Sequence, residues 1–276
     1  MSQLVERITS LQNARVKYVR KLREKRQRLR DRRFVIDDGR DFLRALEQGY
    51  QVDYAFYCET LDDAAQTGLK LLTAYNILHT VFQVTLEVMQ KASYRDNPGP
   101  LVAVVHAPVA PLLDEIDTGE MDRVLILVNL LKPGNIGALM RTADAAGFRT
   151  IMLVDCDLDL YNPNLIRSST GACFLKNVYQ TTTDEVLAFL AGNDIDIMAA
   201  VVDGNATLFD VPLTPPIAFV MGTEDVGLDA RWLDAAHHRV RIPMSGQISD
   251  SLNVSVSGAI FMYEVYRQSL VGTGRL

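Results

Sequence analysis

Three short segments from Asn135 onward gather the residue types that could do chemistry. They are Asn135-x-Gly137-x-x-x-Arg141, then Phe219-Val-Met-Gly222-Thr-Glu224, then Ile242-Pro-Met244-Ser-Gly246 running on into Ser251-Leu252-Asn253-Val-Ser255-Val. Each puts small, polar or charged residues directly after an apolar run, where an open α/β sheet carries its ligand-binding loops. The stretch Lys132-Pro-Gly-Asn-Ile-Gly137, set between a strand and a helix, invites a phosphate at the helix N-terminus. It is neither GxxxxGK[ST] nor GxGxxG, so nucleotide hydrolysis and nicotinamide binding lose their main support.

Each segment also has a plainer reading. Asn135 could serve as the N-cap of its helix. Arg141 is harder to dismiss, because Ala138, Leu139, Ala143 and Ala145 make that helix largely apolar and a guanidinium there calls for a partner. Gly222-Thr-Glu224-Asp-Val-Gly227 reads as a glycine-bounded turn that lets a ligand approach the backbone, or simply as a tight strand-to-helix turn. Ser255 and Ser257 fall inside a long apolar helix, where small residues permit close packing.

The elements that must position these residues alternate along the chain. After a basic amphipathic helix at 10–33, strands are expected at Phe34–Ile36, Val52–Cys58, Thr80–Val84 and Leu101–Val105, with helices near Gly39–Gln48 and Asp63–Ala74. Prolines and acids between Ala107 and Gly119 mark a boundary, giving an amino-terminal domain at 1–108, a linker at 109–120 and a second domain at 121–276. In the second domain strands are expected at Val124–Leu130, Thr150–Val154, Phe174–Tyr179, Ile195–Val202, Ile217–Met221 and Arg239–Ile242. Helices are expected at Asn135–Ala146, Thr183–Ala191, Asp229–His237 and Leu252–Gln268. This alternation predicts a mostly parallel sheet covered by helices on both faces.

The 276 residues are 48% apolar, enough to bury full cores. No apolar run of about 18 residues occurs, and Met1–Ser10 lacks the layout of a signal peptide, so a soluble cytoplasmic protein with no membrane partner is expected. Cys58, Cys156 and Cys173 match no metal-binding spacing, and no metal site is expected. The net charge of −6 hides an asymmetry: between Arg15 and Arg33 stand eleven Lys/Arg against Glu24 and Asp31, an excess of nine, which leaves −15 on the remainder. Such a concentration suits a polyanion, RNA or DNA, with Arg15, Lys17, Arg20, Lys21 and Arg23 as the expected contacts.

The three ordered motifs, with residues 133–147 (PGNIGALMRTADAAG) as the first and 219–256 spanning the second and third, resemble those of the SpoU/TrmH family of RNA ribose 2′-O-methyltransferases of the SPOUT class. The resemblance extends over essentially the whole chain, with Arg7–Gly49 similar to that family's substrate-binding domain. It implies an α/β fold whose carboxy-terminal sheet is tied in a trefoil knot, a smaller amino-terminal α/β domain, and a homodimer with the active site at its interface. It implies S-adenosylmethionine as methyl donor, held by Gly222, Ile242 and Leu252 with Met244 near the adenine, and a polar catalytic cluster of Asn135, Arg141, Glu224, Ser251 and Asn253. Glu224 would orient Arg141 or a backbone amide. The loop Ser245–Asp250 departs from the pattern by being about one residue longer.

The implied reaction is attack of a ribose 2′-oxygen on the sulfonium methyl, with much of the catalysis coming from alignment. Arginine is a poor base, so Arg141 is expected to bind the adjacent phosphate or stabilise the developing alkoxide. The resemblance favours 23S ribosomal RNA over transfer RNA, because such an amino-terminal domain accompanies rRNA-modifying relatives, including those that confer antibiotic resistance. A non-catalytic RNA-binding or ribosome-assembly protein is the alternative from another class, opposed by the intact Arg141, Glu224 and Asn253. A Rossmann-type dehydrogenase is distant without GxGxxG.

Overall fold

A computed structural model describes residues 6–58, 63–74, 80–116, 121–248 and 251–272. The chain divides into two compact units, Met1–Val109 with Asp159–Leu175, and Ala110–Leu158 with Lys176–Leu276. The expected linker at 109–120 and loop at 245–250 extend beyond the described residues at 117–120 and 249–250.

The first unit runs β1 (Arg7–Ile8), α1 (Ala14–Lys21), α2 (Lys25–Asp31), β2 (Arg33–Ile36), α3 (Gly39–Glu47), β3 (Val52–Tyr57), α4 (Asp63–Ala74), β4 (Val81–Val84), α5 (Leu86–Ala92) and β5 (Leu101–His106). Its five strands are ordered β1-β4-β3-β5-β2, with β5 antiparallel to both its neighbours and the remaining pairs parallel. Val16 and Val19 of α1 and Val88, Met89 and Ala92 of α5 bury one sheet face together with Phe56 and Phe82. The apolar residues of α1 thus recur at helical spacing on the side facing the sheet, which leaves its arginines and lysines outside.

The basic stretch is not the single helix expected. Asn13 caps α1 by accepting from the Arg15 amide at 2.9 Å. The helix stops at Leu22 and α2 restarts behind the extended residue Glu24. Arg28 occupies the break: its Nη1 donates to the carbonyls of Leu22 at 2.6 Å and Arg23 at 2.7 Å. Its Nε donates to Asp159 at 2.7 Å, and both side chains of this ion pair are only 4% exposed. One of the eleven cations of the segment is therefore structural.

The second unit opens with β6 (Arg123–Val128), α6 (Pro133–Ala145) and β7 (Thr150–Val154). The chain then contributes α7 (Pro163–Ser169) to the first unit before returning with β8 (Val178–Thr181), α8 (Thr183–Gly192), β9 (Asp196–Ala200), β10 (Ala206–Thr207), β11 (Ile217–Met221), α9 (Ala230–Ala235), β12 (His238–Arg241) and α10 (Val254–Gly272). The seven strands lie in the order β10-β12-β9-β11-β6-β7-β8, and every pair among them is parallel. Central strands β6, β7 and β11 are buried on both faces, which explains their unbroken apolar runs. Val186 and Leu190 of α8 and Trp232 of α9 cover one face. On the other, α10 packs on α6, and Phe261 lies 4.8 Å from Phe219 between ring centroids. Gly258 makes that approach possible, since a Cβ there would fall 2.2 Å from a methyl of Leu139.

Two sequence expectations differ from this arrangement. The strand anticipated at Phe174–Tyr179 is shifted to Val178–Thr181, because Ala172–Phe174 form a short 3-10 turn. Residues 159–175, placed by sequence in the second domain, pack with the first unit. The ring of Tyr161 stacks on Phe34 at 4.2 Å, Tyr50 meets Phe174 at 5.2 Å, and Arg44 donates to the Thr170 carbonyl. Buried aromatics and the Arg28–Asp159 pair bind this segment across a wide sequence separation that local pattern does not reveal.

Arg28→Ala should lower unfolding stability by about 3–5 kcal/mol, because Asp159 is left as a buried, unpaired charge. Replacing both partners with apolar residues should recover most of that loss in urea denaturation. A single-mutant loss below about 1 kcal/mol would contradict the role given to the pair.

Candidate functional site

The polar residues gather at the carboxyl ends of the adjacent strands β6 and β11. After β6, Asn129 takes a left-handed conformation with φ 56° and the chain turns into α6. Pro133 supplies the first helical residue with a pre-set φ. Asn135 is not the N-cap: Lys132 holds that place and makes no capping bond, so Asn135 sits within the first turn with its amide free to reach sideways.

At the end of β11 the backbone doubles back. Gly227 N donates to the Thr223 carbonyl at 3.1 Å, and Val226 N donates to Thr223 Oγ1 at 3.1 Å. Gly222 is buried in the fold of this turn, where a Cβ would lie 2.2 Å from the Gly227 carbonyl oxygen. The turn carries Glu224 toward α6.

Glu224 is the centre of the cluster. Its Oε1 accepts from Asn135 Nδ2 at 3.0 Å and from Asn253 Nδ2 at 3.0 Å, while its Oε2 receives the Lys132 ammonium. The Val254 amide approaches Oε1 at 3.5 Å. Asn253 Oδ1 in turn accepts from the Ser255 amide at 3.0 Å and the Ser255 hydroxyl at 2.6 Å, which anchors Asn253 to the start of α10. Chiefly through the Lys132 hydrogen bond, the Glu224 carboxyl is held below its ordinary range, and its presence raises the lysine in return. Three motifs thus meet on one carboxylate.

Beside this cluster opens a cavity of about 460 Å³. Its lining includes Gly222, Ile242, Met244 and Leu252, the residues expected to hold the donor, together with Ser251 and Glu224, expected in the polar cluster, and Phe261. Sequence reasoning missed Val201, Val202 and Asp203, which follow β9 and line the same cavity; no motif marked them. It also passed over Lys132 as a site residue, although a cation at the start of a helix is an identifiable anomaly.

Arg141 corrects one expectation. It lies on the exposed side of α6, while Ile136, Gly137, Leu139, Met140 and Ala143 face inward. Six residues beyond Asn135 means about 9 Å along the axis and roughly 240° around it. Glu224 therefore engages Lys132, Asn135 and Asn253 rather than orienting Arg141, and the guanidinium needs no internal partner because it is not buried.

The expected RNA-contacting residues Arg15, Lys17, Arg20, Lys21 and Arg23 are all exposed in the first unit. Arg15 lies over the Phe82 ring at 4.4 Å and Arg23 over Tyr94 at 5.2 Å, so two of the five are held by aromatic faces. Among the described residues no group of three or more His, Cys, Asp or Glu is placed to hold a metal, and no helix is long and apolar enough to cross a membrane.

The turn at Gly222 generates a direct test. Gly222→Ala should destabilise the protein by about 1–3 kcal/mol through the forced backbone shift, read as a lower urea midpoint at unchanged m-value. An unchanged midpoint would show that the turn yields without cost.

Comparison with known proteins agrees with this geometry. Residues 122–263 match the SpoU rRNA methylase family, and residues 13–103 match an MRM3-like substrate binding domain. A 23S rRNA (uridine(2479)-2′-O)-methyltransferase from Streptomyces viridochromogenes is 30% identical over 273 residues, covering 96% of this chain and 93% of the relative. The crystal structure of an RNA 2′-O ribose methyltransferase superposes with a TM-score of 0.83 at 38% identity, covering 96% of this chain and 99% of the other. An AdoMet-bound rRNA methyltransferase from Sinorhizobium meliloti also gives 0.83, at 26% identity over 95% of this chain and 98% of its own. With residues 122–263 matching the family model and a 30% identical relative covering 96% of its length, the chain belongs to the SpoU rRNA methylase family.

Proposed function

We propose that this protein methylates a ribose 2′-hydroxyl of RNA with S-adenosylmethionine as donor, and that 23S ribosomal RNA is its substrate. The observation that carries the reading is the convergence of Asn135, Glu224 and Asn253 at the rim of the cavity bounded by Gly222, Ile242, Met244, Ser251 and Leu252. The choice of ribosomal over transfer RNA is supported by the named relative and by the accompanying substrate-binding domain.

The cavity suits the donor. Gly222 and the turn after it form one wall, and Ile242, Leu252 and Phe261 offer apolar surface to an adenosine. When bound, S-adenosylmethionine supplies an electrophilic methyl group on a sulfonium sulfur. Met244 and Leu252, 39% and 36% exposed, lie at the mouth and would exclude water once it is covered.

The chain's own residues align the acceptor. Asn135, Ser251 and Asn253 would position the ribose, held in place by Glu224 and Ser255. Glu224 itself is a weak candidate for the proton acceptor, since Lys132 and two amides already donate to its oxygens and hold its basicity down. Arg141 would bind the phosphate beside the target or stabilise the developing alkoxide, acting as a fixed charge. Its exposure on α6 fits a homodimer in which it serves a site completed by the partner, and exposed Val256 and Tyr263 on α10 fit burial in such an interface. The trefoil knot of this family would belong to the second unit, and the protein to the cytoplasm, where its RNA is found. The basic face of α1 would hold the RNA backbone, with affinity falling steeply with salt.

Methyl transfer from labelled S-adenosylmethionine into separate pools of unmodified rRNA and tRNA, followed by nucleoside mass spectrometry, tests this. A 2′-O-methyl nucleoside should appear in the rRNA pool and fall by about 100-fold or more with Arg141→Ala, the scale of losing a preorganised charge-stabilising group. Absence of any 2′-O-methyl nucleoside in both pools, or wild-type transfer by the mutant, would contradict it.

A further inference from the structure

The start of α6 breaks a local rule. A 13-residue helix presents partial positive charge at its N-terminus, where acids and capping side chains are favoured and a cation is unfavourable. Here the N-cap is Lys132, it makes no capping bond, and the first turn contains no acid. Departures of this kind are expected where a residue serves a site.

The compensation comes from another element. Glu224, carried on the turn after β11, places its carboxylate at this helix end and receives the Lys132 ammonium on Oε2. With that oxygen engaged, Oε1 is the one that accepts both Asn135 Nδ2 and Asn253 Nδ2 at 3.0 Å. The division fixes more than the carboxylate. Because both amides donate to Glu224, their carbonyl oxygens are directed elsewhere: Asn253 Oδ1 to Ser255, and Asn135 Oδ1 toward Asn253 Nδ2 at 3.4 Å.

We propose that Lys132 is a positioning residue for methyl transfer: it clamps Glu224 by one oxygen so that the other sets the orientation of Asn135 and Asn253. This rests on the function proposed above. Lys132 does not touch the reacting atoms in this assignment; it acts through Glu224. Its side chain is 71% exposed, against 30% for Glu224, so the clamp is built at the rim and can be altered without opening a cavity in the core.

Three consequences follow for Lys132→Met. Its kcat should fall about 10- to 100-fold, the scale of misplacing aligned groups by up to an ångström. Its KM for S-adenosylmethionine should stay within about twofold, because kcat alone reports an interaction realised in the transition state. The acid limb of its kcat profile should move to higher pH: the lysine favours the ionised carboxylate, so without it Glu224 protonates earlier as pH falls. Lys132→Arg should restore kcat to within about threefold, since it retains the charge and the donors.

The experiment is steady-state transfer by wild type, Lys132→Met and Lys132→Arg from about pH 3.5 to 9, a window that includes the ordinary glutamate range, with the Glu224 carboxyl titration followed by carbon-13 NMR on the protein alone. Lower kcat, a raised acid limb, rescue by arginine and a raised Glu224 titration in the methionine variant are the expected results. Unchanged kcat and acid limb in Lys132→Met would overturn the clamp. Should wild type transfer no methyl group, the proposed function fails, and the NMR titration still decides the clamp: an unmoved Glu224 signal overturns it.

Discussion

The site depends on one shared acceptor. Asn135, Glu224 and Asn253 come from three segments separated by 89 and 29 residues, and a single carboxylate oxygen accepts from both amides. An ionised carboxylate offers about four lone-pair directions and no donor, which lets one side chain gather several donors at once. Hydrogen bonds to a charged acceptor are also about twice as strong as neutral ones. Remove the charge, and three elements lose their common reference.

The rest of the second unit serves to bring that carboxylate into range. Parallel pairing of β6 with β11 sets their carboxyl ends side by side, so the loops that carry Asn135 and Glu224 emerge as neighbours. Gly222 lets the Glu224 turn fold onto itself, and Gly258 lets α10 approach α6 and Met221, which fixes the start of α10 where Asn253 stands. The apolar sheet and the two glycine contacts are thus what makes the polar geometry reproducible. In the first unit Arg28 has the corresponding role, ending one helix and holding residues 159–175 through a buried ion pair.

Much of this was legible in the sequence, and the failures have physical causes. Continuous apolar runs at Val124–Val128 and Ile217–Met221 marked the central strands because burial on both faces leaves no alternation to misread. Gly222, Ile242, Met244 and Leu252, expected to hold the donor, line one cavity, and Ser251, expected in the polar cluster, lines it with them. A capping role was open for Asn135 beside its place in the polar cluster because Asn favours that position, whereas Pro133 fixes the helix start two residues earlier and leaves only the second reading. Arg141 was expected to need a partner because its helix is largely apolar, but composition cannot tell on which side of α6 a residue falls. Likewise, the break at Leu22–Glu24 is imposed by Arg28 reaching back to two carbonyls, and α7 packs with the first unit through Tyr161, Phe174 and Asp159. These are long-range or tertiary choices that overrode good local helix propensity.

The central claim is that Glu224 and the asparagines act as one unit, and a double-mutant cycle on the single-turnover rate of methyl transfer measures it most directly. Glu224→Gln presents a donor to amides that need an acceptor, and Asn135→Ala removes one of those amides. If the carboxylate works by holding the asparagines, the double mutant should be little slower than the more impaired single mutant, giving a coupling energy of about 1–3 kcal/mol. Penalties that simply multiply, with coupling near zero, would mean that Glu224 and Asn135 act independently and would contradict this account.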